Sequence, residues 1–267
     1  MAESPSIPPV VPGFQVRTHY VRSRNALYAR VDLGELYVDY YLHLSENGLK
    51  PAPEHDALFK RALAAFVLHT VSRPWNEMTA WTINFQDPRV NLFLTGDNET
   101  GGVAGRVFAE NVREFPENIF YADVVRGREP TRRSTINFTG SDPLVALEKF
   151  YDQSEQRIAR FFQLGEEEFA VVIEHPDCDK AWLAALTVEQ VKALETTETI
   201  NLLETRLVRW FCGCNQARML EVLAPVMRAD PVELFGEHEK IEIRCPRCAA
   251  RYTITREAME AKVADKK

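Results

Sequence analysis

A chain of 267 residues with 45% hydrophobic side chains has material for one large domain and a smaller companion. Its formal net charge of −7 argues against nucleic acid or an anionic membrane as the main partner. The longest uncharged apolar run, Ala62 to Leu68, is far too short to span a bilayer.

From the start, Met1 to Gly13 is proline-rich, with no arginine and no signal-like apolar stretch, and reads as a disordered tail. Val16 to Val21 and Ala26 to Leu33 alternate as strands do, and Leu36 to Leu44 suits a short helix. His55 to Val71 is a clearer helix, with Leu58, Ala62, Ala65, Phe66 and His69 at helical spacing and Pro74 beyond its end. Strands follow at Trp81–Phe85, Val90–Leu94 and Val103–Phe108, the last two joined by the turn Asp97 to Gly102. Those glycines do not make a phosphate loop, because no Gly-Lys-Ser/Thr follows and no helix opens there.

Further strands are predicted at Ile119–Val125 and Thr135–Phe138. Ser141-Asp142-Pro143 then caps a helix running from about Pro143 to Ser154. Phe161–Leu164 and Phe169–Ile173 read as closing strands, giving an α+β domain with an antiparallel sheet. Beyond it, Lys180 to Glu195 and Thr199 to Phe211 both carry apolar residues at helical spacing, and two linker helices are expected.

Four of the five cysteines then come in two tight pairs, Cys212-Gly213-Cys214 and Cys245-Pro246-Arg247-Cys248. Two short-spaced thiolate pairs brought together by folding are a Zn2+ site. The second pair lies between two alternating runs, Ile241–Arg244 and Arg251–Thr255, which place it at the tip of a hairpin. In the first pair, Gly213 permits the tight backbone that turns both sulfurs to one side. A thioredoxin-like reading of Cys-Pro-x-Cys fails because too little chain follows Cys248 to complete a βαβ unit. Structural disulfides do not suit the reducing cytoplasm that is the expected compartment. A nucleic-acid-binding ribbon does not suit a module whose acidic and basic residues nearly balance. Cys178 stands outside the pairs and reads as an ordinary thiol, and His238 reads as a surface histidine rather than a substitute ligand.

The paired cysteines, the helix end Phe150-Tyr151-Asp152-Gln153-Ser154-Glu155-Gln156, and the stretch Asn91 to Phe108 with its Asn-Leu-Phe-Leu and Val-Ala-Gly-Arg-Val together resemble the 33 kDa chaperonin family of redox-regulated heat-shock holdases. The likeness extends over about Phe14 to Ala261. Two departures stand out. The family's Ser-Arg-Glu-Arg after its first pair is replaced by Asn215-Gln216-Ala217-Arg218. Its His-Glu-Glu-bearing stretch is missing where Phe211 runs straight into Cys212.

What the resemblance implies is a tail over 1–13, a core domain over 14–175, a helical linker over 176–211 and a zinc-binding module over 212–267. Cys212, Cys214, Cys245 and Cys248 would be both the zinc ligands and the cysteines that form disulfides on oxidation. The expected function is an ATP-independent holdase, not an enzyme, that binds unfolded client proteins and has homodimerisation on oxidation as a further option. The linker helices are expected to detach once the module melts, with Trp210 and Phe211 as the mechanical coupling. The alternative is a zinc-ribbon adaptor whose metal is only structural, with a thiol-disulfide oxidoreductase third.

Overall fold

A computed structural model describes residues 13–264, so most of the expected disordered tail at 1–13 lies outside the described residues. Ten strands form one sheet: β1 (Phe14–Val21), β2 (Ala26–Asp32), β3 (Glu77–Gln86), β4 (Arg89–Asp97), β5 (Gly102–Phe108), β6 (Asn118–Arg126), β7 (Arg132–Phe138), β8 (Ala159–Gln163), β9 (Glu168–Glu174) and β10 (Ile200–Trp210). Their order across the sheet is β7-β6-β3-β4-β5-β10-β1-β2-β9-β8. Every neighbouring pair is antiparallel except β10 and β5, which run parallel and touch at Arg209 opposite Gly102 and Trp210 opposite Val103.

One face of this sheet carries the main core. Helix α2 (Pro53–Val71) has every residue from Ala62 to Val71 buried, which is why its apolar residues go all the way round rather than in one stripe. Helices α1 (Gly34–Glu46) and α3 (Pro143–Phe150) flank it. As the sequence predicts, Asp142 caps α3 by accepting from the Leu144 amide, and Pro143 takes its first position. The chain then widens into a π-helical turn, Tyr151–Glu155, that ends at Gln156 in the left-handed region. Glu155 accepts from Arg73, which also pairs with the fully buried Glu77, and Arg126 closes on Glu77 from the other side.

The opposite face is covered in two places. Over β1, β2, β8 and β9 sits a second apolar cluster with α4 (Lys180–Ala185) and α5 (Val188–Thr197). The single helix expected over Lys180 to Glu195 is therefore two, broken where Thr187 opens α5 with a capping box to Gln190. Over β5 sits the C-terminal module: α6 (Gln216–Ala229), α7 (Pro231–Phe235), the hairpin β11 (Lys240–Arg244) and β12 (Arg251–Thr255), and α8 (Arg256–Ala264).

The second linker helix is overturned. Thr199 to Phe211 contributes a strand, β10, that pairs along its length with β1 and fills the middle of the sheet. Its Ile200, Leu203, Leu207 and Trp210 do fall at helical intervals, but a register irregularity opposite Thr18 and His19 shifts the alternation midway and hides the period of two. The buried side chains of the strand are Arg206 and Val208, and Trp210 packs partly buried beside them. A buried arginine is the residue least expected there; it donates to the Thr70 carbonyl and pairs with Glu204.

Candidate metal centre

Cys212 and Cys214 leave the sheet directly from the end of β10, while Cys245 and Cys248 form the knuckle between β11 and β12. Gly213 holds φ +67, and a Cβ there would meet the Arg218 guanidinium at 3.2 Å and the Phe211 ring at 3.4 Å. The turn thus needs glycine, as the spacing suggests. On the knuckle, the Cys245 amide donates to the Ala250 carbonyl at 2.8 Å and the Ala249 amide to the Cys245 carbonyl at 2.9 Å. These bonds fold the loop so that both sulfurs point the same way.

All four sulfurs lie within 4.8 Å of one another. Cys212 and Cys245 are 3.8 Å apart at Sγ, and Cys214 and Cys248 are 3.5 Å apart. In a tetrahedral zinc–thiolate site with bonds of ~2.3 Å, the sulfurs stand about 3.8 Å from one another, so the donor set and its spacing fit such an ion. The protons tell the same story. Cys245 and Cys214 are pushed down by hydrogen bonding led by Cys212, Cys214 to about 7, whereas Cys212 and Cys248 are pushed up by their thiol neighbours. Four sulfurs so close cannot all be anionic without a cation among them.

Cys245 and Cys248 are buried, and Cys212 and Cys214 are half-buried. Among the described residues, the four-sulfur cluster includes neither Cys178 nor His238. Cys178 lies against the cluster beneath α4 and α5, where burial raises its thiol above the usual value.

Several supporting residues have no advance signal in the sequence. His43 on α1 bonds through Nε2 to the Cys248 carbonyl at 2.7 Å. Arg106 on β5 donates to the Cys245 carbonyl at 3.4 Å, and the Asn47 side chain accepts from the Arg251 amide at 2.8 Å. These contacts dock the knuckle on the far end of α1 across some two hundred residues of chain. Trp210 joins both sides, packing on Tyr40, His43 and Phe59 while touching the module's own core. Trp210 thus packs against both sides, as expected. Phe211 stays 45% exposed, stacked under Arg209.

The fold and site define an α+β protein whose sheet carries a docked four-cysteine module able to hold a metal ion. A family model described as Hsp33 protein matches residues 163–255. A 33 kDa chaperonin from Nitrosococcus oceani is 26% identical over 155 residues, which are 50% of this chain and 53% of that relative. One from Haemophilus influenzae is 33% identical over 64 residues, 24% of this chain and 22% of that one. The aligned stretches thus span about half the length of these curated relatives or less. The crystal structure of a 33 kDa chaperonin from Thermotoga maritima superposes with a TM-score of 0.71 at 16% identity, over 96% of this chain and 99% of that one. The chain thus shares with the Hsp33 family the match over residues 163–255, and with the Thermotoga maritima structure the fold.

Proposed function

We propose that this chain is a redox-regulated, ATP-independent holdase chaperone of the cytoplasm, with Cys212, Cys214, Cys245 and Cys248 holding Zn2+ in the reduced state. The observation that carries the reading is the four-sulfur cluster at the root of a small module lying on the sheet. Zinc bound by four thiolates adds folding energy to that module. In small fingers the metal is worth about 10–16 kcal/mol of apparent binding free energy, against a typical domain stability of about 5–15 kcal/mol. A module this small has little core to fall back on.

Oxidation removes the ligands. Two cysteine sulfurs give up two electrons to hydrogen peroxide, form one S–S bond, and leave two molecules of water once two protons are taken up. A disulfide sulfur no longer offers a thiolate. The module then loses its fold and uncovers the surface beneath it: Ala104, fully buried under the module's core, and the module-facing side of Trp210. Met78 and Phe211, already 40% and 45% exposed, extend that apolar area. Contiguous apolar surface of this kind is what an unfolding client binds.

This route differs from the expected detachment of the linker helices. The apolar faces of α4 and α5 are covered by β1, β2, β8 and β9, not by the module, so melting the module does not uncover them.

The test is an aggregation assay on a thermally unfolding client. Peroxide-treated protein should suppress light scattering at near-stoichiometric amounts, and reduced protein should not. Equal behaviour of the two forms would refute redox regulation.

A further inference from the structure

Tyr252 places its hydroxyl 3.1 Å from the Cys214 sulfur, as donor. It is the one bond recorded to a cluster sulfur, among the described residues, whose donor is not itself a cysteine. The position is built by the hairpin. Tyr252 pairs with Ile243 across the ladder, and its side chain faces the module's core together with Ile254. The tyrosine is half-buried and packs against the module's core, with its hydroxyl directed at the Cys214 sulfur.

The cluster is not equally open on all sides. Cys212, Cys214 and Cys245 line a groove shared with Met78, Met219 and Arg247, and Cys248 does not. A small oxidant entering this groove meets three of the four sulfurs, and of these Cys214 is the one that Tyr252 bonds.

We infer that Tyr252 is a positioning residue that guards Cys214, slowing its oxidation and so setting how much oxidant the switch tolerates. This rests on the reading of the four cysteines as a redox switch. The Cys214 sulfur attacks one oxygen of hydrogen peroxide, forming an S–O bond while the O–O bond breaks, and the departing hydroxide takes a proton to become water. A second cluster sulfur then displaces the sulfenic hydroxyl, forming the S–S bond and releasing a second water after another proton is taken up. The first attack spends the electron pair on sulfur. Where the sulfur is already held as a thiolate by the metal, a hydrogen bond donated to that pair lowers its nucleophilicity, because intrinsic nucleophilicity falls with basicity.

The experiment uses the full, reduced chain and its Tyr252→Phe variant, which removes one hydroxyl and keeps the ring. Alkylation by iodoacetamide is followed cysteine by cysteine by mass spectrometry, and peroxide-driven zinc release is followed with a chromogenic chelator. Cys214 in the variant should react about tenfold faster or more relative to Cys212, Cys245 and Cys248, the lower end of what one hydrogen bond to a charged acceptor supplies. Zinc release should accelerate by a similar factor. Unchanged relative rates overturn the inference. So does a rise of all four together, which would mean that the ring only supports the module's fold.

The cobalt-loaded protein supplies a readout that mere opening of the site would not move. The sulfur-to-metal charge-transfer band should shift in Tyr252→Phe, and an unmoved band counts against a bond to the sulfur. Elemental analysis of the reduced wild type separates the two readings: a chain without zinc defeats the proposed switch, whereas a zinc-loaded chain whose relative rate at Cys214 is unchanged in Tyr252→Phe defeats the role of Tyr252 alone.

Discussion

Gly213 and Ala249 occupy the same left-handed backbone region, at φ +67 and +63, one in each half of the cysteine site. An L side chain pays roughly 1–2 kcal/mol there. Gly213→Ala should therefore lower the stability of the metal-loaded chain by at least that amount, and Ala249→Gly should raise it by about 1 kcal/mol, both read from denaturant midpoints. Metal content separates ligands from bystanders. Cys245→Ser should lose most of the zinc found in the wild type, and Cys178→Ser should keep it, as elemental analysis would report. Far from the site, His69 is fully enclosed and bonds through Nδ1 to the Tyr151 hydroxyl at 2.9 Å. Burial, with Arg73 and Arg157 adding to it, holds its imidazole well below the usual value, so the folded protein keeps it neutral. The unfolded chain takes up that proton near pH 6.5, so the contribution is complete above that value and falls as pH drops through it. Stability should decline by up to about 1.4 kcal/mol per pH unit between pH 6.5 and 5 from this group. His69→Gln should flatten that slope in urea melts run across the range.

At the level of elements, β10 decides how far a disturbance of the cysteines can travel. Residues 200–208 pair with β1 through an extended antiparallel ladder, and only Arg209 and Trp210 continue the sheet to β5. Hydrogen exchange should show protection retained across Ile200–Val208 after peroxide treatment and lost from Cys212 onward; loss throughout β10 would restore the detaching linker. His43→Ala should leave zinc content intact but raise exchange over β11 and β12, because the Cys248 carbonyl loses its bond to α1. The same strand marks the boundary of what the sequence discloses. Strongly periodic elements with recognisable ends, such as α2 and the Asp142-capped α3, are legible because local chemistry specifies them. So is the cysteine cluster, since ligand type and spacing carry the chemistry and Gly213 supplies the turn. Thr199 to Phe211 is not, because its pairing slot between β1 and β5 is made by segments far away in the chain. His43, Asn47 and Arg106 escape for the same reason: their value lies in contacts that exist only after the module docks.

For the whole molecule, the question is whether losing the metal does anything beyond melting the module. A zinc-ribbon adaptor with a purely structural metal predicts that the last fifty-odd residues unfold and nothing else follows. A holdase predicts a gain of binding surface, and the geometry says where it should appear. The module covers Ala104 and one side of Trp210, and next to them Met78, Leu207 and Phe211 are already 40–45% exposed. Removing the cover would join separate exposed residues into one apolar region on the β3–β4–β5–β10 side of the sheet, the kind of surface that unfolded chains or a second copy of the protein would bind. Peroxide with mild heat should therefore release zinc, raise the fluorescence of an apolar dye and increase the sedimentation coefficient at higher protein concentration. The decisive comparison adds Phe211→Ser with Met78→Ser, two surface changes outside the ligand set. Zinc content of the reduced form should be unchanged in this double variant, whereas dye binding and client protection after oxidation should fall several-fold. If protection survives with both residues polar, the surface that works lies elsewhere. If the oxidised wild type releases zinc without any gain in dye binding or protection, the adaptor reading replaces the holdase.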